Sequence, residues 1–163
     1  MRRRALAGTK EAGYLVDESS GEVLDYREAR DETPYEIDFP EAEACGRALV
    51  CYLHSHNVLS PPGEADWNNM IELPTMNRYV AVCGDRIFVL ERTSQTRNPF
   101  SSPPGMIFDY EMGKRLKQST LGHLPIKKAM LQLPEAEMQE VLRDVNLRLA
   151  SIYRVVFREE WLT

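Results

Sequence analysis

Residues Ala48 to His56 read ALVCYLHSH, and ten residues beyond His56 stands Asp66. Ala48 to Leu53 is a nearly continuous apolar run of strand length, the pattern of a strand buried on both faces. It ends in His54-Ser55-His56. Residues two apart on a strand point to the same side, so both imidazoles can converge at the strand's end. The loop that follows carries Ser60-Pro61-Pro62-Gly63. Glu64 to Leu73 (EADWNNMIEL) then reads as a short helix stopped by Pro74, with Asp66 near its start. A strand, a turn-rich loop and a helix therefore bring two histidines and an aspartate toward one place.

Upstream, Gly13 to Asp17 (GYLVD) and Glu22 to Tyr26 (EVLDY) flank Ser19-Ser20-Gly21 and read as a hairpin. Tyr35 to Phe39 alternates apolar and polar residues as a half-buried strand does, and Pro40 precedes a short helix at Glu41 to Ala44. Downstream, Arg78 to Val82 and Arg86 to Leu90 flank Cys83-Gly84-Asp85 as a second hairpin, with Gly84 supplying the unusual backbone angle. Thr93 to Gly105 holds Pro99, Pro103 and Pro104 and reads as a long loop. A helix is expected from about Pro134 to about Arg158. Glu135 and Glu137 favour its first turn, and Met138, Val141, Leu142, Val145, Leu149, Ile152 and Val156 follow helical spacing. That stripe either packs on the core or pairs with another chain. The expected class is α/β in the α+β sense: a mixed sheet flanked by helices, with a core over residues 1–92 and a loop and C-terminal helical extension over 93–163.

The chain has 163 residues, a net charge of −5 and 28% charged residues, enough length to bury a core without staples. The acidic balance argues against a general nucleic-acid binder, and no apolar run reaches the ~18 residues of a membrane helix. Met1-Arg2-Arg3-Arg4 is not followed by an apolar region of signal-peptide length, so a cytoplasmic chain is expected. Cys45, Cys51 and Cys83 form no CxxC pair, and their odd number fits reduced, buried thiols.

Two imidazoles and one carboxylate form a three-ligand zinc set that leaves a fourth position for water. His54, His56 and Asp66 are the candidate ligands. Such a site needs a general base, and Glu11, at the head of the first strand, is the candidate. The competing reading is a pair of solvated or capping histidines and an exposed glutamate. His123 stands alone and reads as a surface or hydrogen-bonded histidine.

Glu11-x-Gly13-x-Leu15, His54-Ser55-His56 and Asp66 together resemble the JAB/MPN/JAMM metalloprotease family, whose pattern is an early Glu, then His-x-His, then Ser-x-x-Asp. The resemblance spans roughly Lys10 to Arg92. It implies an MPN-like mixed sheet, zinc held by His54, His56 and Asp66, and Glu11 as base. It also implies hydrolysis of a peptide or isopeptide bond, with a protein, peptide or ubiquitin-like conjugate as substrate. This chain departs from the pattern at Asn57, where the family has Pro, in a loop one residue shorter than usual, and at Gly63, where the family has the Ser that helps hold the oxyanion. Ser60 is the nearest substitute. A metal-free member of the same fold, acting as a binding scaffold, is the alternative. A third possibility is a partner-binding or dimer-forming role of the C-terminal helix.

Overall fold

The computed structural model describes residues 11–29, 50–56, 60–119, 121–125, 128–129 and 132–162. The expected strand at Tyr35 to Phe39, the helix at Glu41 to Ala44, Cys45 and Asn57 lie outside the described residues.

Among the described residues, six strands form one sheet in the order β2-β1-β3-β4-β5-β6. They are β1 (Ala12–Asp17), β2 (Val23–Glu28), β3 (Val50–Ser55), β4 (Met76–Cys83), β5 (Arg86–Glu91) and β6 (Val156–Trp161). Every neighbouring pair is antiparallel except β3 and β4, which run parallel. Parallel neighbours need a crossover, and the helix α1 (Glu64–Glu72) supplies it. The apolar run therefore lies between two partners in mid-sheet, with Val50 and Tyr52 buried on one face. Both expected hairpins form. Gly84 has φ +60°, and Cys83 pairs with Arg86 across a two-residue turn, as the right-handed strand twist favours.

The C-terminal third departs from expectation in two places. First, α2 (Pro104–Lys117) occupies part of the region read as loop. Pro104 sits at the first helical position, where its missing N–H costs nothing. Phe108, Met112 and Leu116 recur every four residues on the buried side. Gly105 lets α2 approach α1 closely. A Cβ there would collide with the Glu64 side chain and lie 2.9 Å from Asn68 Nδ2, while Gly105 N–H donates to Asn68 Oδ1 at 2.7 Å.

Second, α3 (Glu135–Tyr153) is shorter than the expected Pro134–Arg158 helix, and Val156 belongs to β6 instead. Arg154 turns into the left-handed region at φ 59° and ends the helix. The hydroxyls of Thr93 and Thr96 donate to the Arg154 carbonyl at 2.8 and 2.9 Å, and Arg97 N–H donates to that of Tyr153 at 3.2 Å. The helix end is thereby satisfied by the loop after β5. The chain then adds a strand to the open edge of β5. Charges secure it: Arg158 meets Glu91 at 2.7 Å, and Arg86 meets Glu159 at 3.1 Å.

The apolar stripe of α3 packs inward. Val141, Leu142, Val145, Leu149 and Tyr153 join Trp67, Met70, Phe108 and Met112 in one cluster with Leu15, Val50, Tyr52 and Tyr79 of the sheet. The region after residue 92 thus closes the same core as the strands before it. No helix among the described residues is long and apolar enough to cross a membrane.

Candidate metal centre

The centre sits at the C-terminal end of β3. His54 lies within the strand, and His56 continues the ladder one residue beyond it, with His56 N–H donating to the Val82 carbonyl at 2.9 Å. The strand alternation therefore holds across both histidines. Their Nε2 atoms are 2.7 Å apart, and both side chains are buried. Asp66, in the first turn of α1, faces them. Its Oδ1 lies 4.0 Å from His54 Nε2, and its Oδ2 lies 3.8 Å from His56 Nε2. These three residues form a group able to hold a metal ion. A tetrahedral ion with bonds of about 2.0–2.1 Å keeps its ligand atoms roughly 3.3 Å apart. The observed separations bracket that value.

Local sequence explains the placement. Asp66 is the third residue of α1, and Oδ2 accepts a hydrogen bond from Gly63 N–H, the N-cap, at 2.6 Å. This is the returning half of a capping box, and it fixes the carboxylate at the positive end of the helix. His56 Nδ1 lies 2.8 Å from the Ser60 carbonyl. A carbonyl can only accept, so Nδ1 carries a proton, and in the neutral ring the lone pair then lies on Nε2. Burial, followed by the charge of neighbouring His56, holds His54 well below the ordinary histidine value, so its ring is neutral.

Glu11 enters by strand register. Gly13 pairs with His54, and continuing that antiparallel register sets Glu11 opposite His56. Ala12 N–H donates to the buried Ser55 hydroxyl at 3.0 Å, tying the head of β1 to the end of β3. Glu11 is buried, and its charge, with that of Asp66, adds to burial in raising Tyr52, Tyr79 and Cys83. The structure thus brings His54, His56 and Asp66 together and sets Glu11 beside them.

Ser60 meets the centre through its backbone. Its hydroxyl donates to the Pro61 carbonyl at 3.0 Å, while its own carbonyl also accepts from Cys83 Sγ at 3.2 Å. The Ser60 side chain, the expected oxyanion donor, thus bonds its neighbour's carbonyl, and its backbone carbonyl meets His56. At Gly63 an added Cβ would have Asp66 Oδ2 at 3.9 Å as its nearest neighbour, so the missing side chain reflects no steric demand.

Two residues at or behind the centre carry no motif. Tyr79, on β4, places its hydroxyl 3.0 Å from His54 Nε2 and donates to Asp66 Oδ1. Burial, then the Asp66 charge, keeps this phenol protonated. Asn146, fully buried on α3, accepts from Trp67 Nε1 at 2.9 Å and donates to the carbonyls of Pro62 at 3.0 Å and Leu142 at 2.8 Å. It fastens the loop between His56 and Asp66 to the C-terminal helix. A polar residue inside the apolar stripe of α3 was the only sequence signal for it.

Comparison of the chain with protein-family models, with curated proteins and with solved structures finds no match. What the fold and site define is therefore a class: a mixed α+β protein whose six-stranded sheet carries a His-His-Asp group fit for a metal ion.

Proposed function

We propose that the chain is a zinc-dependent metallopeptidase or isopeptidase with a JAB/MPN/JAMM-type core. The observation that carries this reading is the donor set. The Nε2 atoms of His54 and His56 face a carboxylate, with Glu11 immediately before the neighbouring strand. Two Nε2 atoms 2.7 Å apart, with carboxylate oxygens within 4.0 Å of them, are spaced as ligands around one cation. Two imidazoles and a carboxylate match the ligand set of catalytic zinc sites.

His54, His56 and Asp66 would hold the zinc, which when bound would supply a water acidic enough to attack near neutral pH and a Lewis acid for the scissile carbonyl. Glu11 takes the proton of the attacking water on its carboxylate and returns it to the departing amine. The Ser60 carbonyl keeps His56 in the tautomer that binds through Nε2, and the Gly63 N–H orients Asp66. The substrate class is a protein or peptide, a ubiquitin-like conjugate among them. A reducing, cytoplasmic setting suits the free thiols of Cys51 and Cys83.

A second reading has its own support. Gly63 brings no hydroxyl, and that of Ser60 is turned to Pro61, so the oxyanion donor of the resembled family is missing. Losing one such donor costs about 10²–10³ in rate. The alternative is a catalytically weak or inactive MPN-like binding domain.

The test is hydrolysis of peptide and ubiquitin-like isopeptide substrates by the zinc-loaded chain and by Glu11→Gln. The peptidase reading expects turnover that falls at least about 10²-fold in Glu11→Gln with zinc content unchanged. Equal activity in both overturns Glu11 as base. Substrate binding without turnover supports the scaffold reading.

A further inference from the structure

Tyr79 makes hydrogen-bond contacts to two of the three metal-ligand candidates. Its hydroxyl donates to Asp66 Oδ1 and stands 3.0 Å from His54 Nε2. Its ring packs edge-on to both His54 and Tyr52, with centroids 4.6 and 4.9 Å apart, and Tyr79 is only 1% exposed. Its hydroxyl faces the candidate ligands, so its role concerns the ligands themselves. The parallel pairing of β3 and β4 creates the contact: Tyr79 pairs with Tyr52, so its long side chain rises beside the residue two positions on, His54.

We propose that Tyr79 is a positioning residue for the metal centre, its hydroxyl fixing the Asp66 carboxylate from the side opposite the Gly63 N–H. The inference rests on the metal reading above. A free carboxylate on a short helix can rotate about its last bond and can bind a metal through one oxygen or two. Here each oxygen is already tied by one donor, Oδ1 by Tyr79 and Oδ2 by Gly63 at 2.6 Å. Two donors on opposite oxygens set the carboxylate plane, so Asp66 is held facing the imidazoles before any ion arrives. Partners that orient a metal ligand in this way are worth about 10–100-fold in metal affinity. The phenol also fills the space beside His54 Nε2, where water would otherwise solvate the ring.

The test compares the wild-type chain with Tyr79→Phe, which keeps the ring and removes only the hydroxyl. Zinc affinity is measured by competition with a chelating dye, the visible spectrum with cobalt(II), and unfolding of the metal-free proteins by urea. The expected result is a 10–100-fold weaker zinc affinity and an altered cobalt spectrum, reporting a carboxylate freed to bind through both oxygens. In a second arm, Tyr79→Phe added to Asp66→Ala is expected to change zinc affinity less than twofold further, because the group it acts on is gone. Unchanged affinity and spectrum in Tyr79→Phe overturn the inference and leave the metal reading standing. Tighter zinc binding overturns it too, since the hydroxyl would then compete with the ion. Fully additive losses in the double variant show that Tyr79 does not act through Asp66. A wild-type chain that takes up no zinc overturns the metal reading, and this inference with it.

Discussion

Asn146→Ala is the substitution through which the structure makes its sharpest claim about coupling between the C-terminal helix and the metal loop. Asn146 is fully buried and makes three hydrogen bonds. Truncation leaves two of the partners without a substitute: the indole N–H of Trp67 and the carbonyl of Pro62. The Leu142 carbonyl keeps its ordinary helical bond four residues along. An orphaned buried polar group costs about 1–3 kcal/mol, so the two orphans and the small void together set an expected loss of about 3 kcal/mol. Urea unfolding of the metal-free protein measures it, with an unchanged m-value showing that the change is in stability. Trp67→Phe removes the indole donor together with part of the ring, and the double variant is expected to lose at least about 1 kcal/mol less than the two single losses combined. A loss below about 1 kcal/mol in Asn146→Ala, or strict additivity, refutes the idea that this amide joins α3 to the loop.

Arg92 gathers carbonyls at the end of α1: Nη2 donates to Met70 at 2.5 Å and to Leu73 at 3.2 Å, and Nε donates to Met76 at 3.0 Å. Arg92→Ala is expected to cost about 2 kcal/mol by urea unfolding, and a loss under about 0.5 kcal/mol would contradict the cap. Burial, with the Glu18 carboxylate nearby, pushes the Cys51 thiol up to about 12, and burial does the same for Cys83. In a Cys45→Ser background at pH 8, both are expected to alkylate about 10³-fold slower in the folded than in the unfolded protein. The unfolded state gives up those protons from about pH 8.5, whereas the folded state holds them toward 12, so stability should fall as pH rises through that window. Alkylation at equal rates would show the thiols are not shielded. Gly63→Ser has room for its side chain, and it is expected to raise hydrolysis by the zinc-loaded protein with zinc affinity within twofold. An unchanged rate would separate this site from the oxyanion role of the resembled family.

The legible parts of the sequence were those where one local rule decided the outcome. The apolar run before His54 had to be a strand, though only its Val50 and Tyr52 face is buried while Cys51 and Leu53 stay half-buried; Gly84 had to turn, and Asp66 had to sit in a first helical turn. The His-x-His spacing then placed both rings on one side, because strand alternation needs no tertiary information. The C-terminal third was harder to read. Pro103, Pro104 and Gly105 signalled a loop, yet they start α2. Gly105 is there because Glu64 and Asn68 leave no room for a side chain. The spacing of α3 runs on to Val156, but the open edge of β5 competes for the same residues and wins, with Arg154 making the break. Tyr79 and Asn146 reach the site only through strand register and helix packing. No spacing in the sequence joins Tyr79 to Asp66 or Asn146 to Pro62.

The central claim, that His54, His56 and Asp66 hold a metal, is tested most directly by zinc analysis of the purified chain and of His54→Ala/His56→Ala after removal of loosely bound metal. The proposed function predicts about one zinc per wild-type chain and none above background in the double variant. Zinc retained equally by both, or absent from the wild type after zinc is supplied, would contradict it.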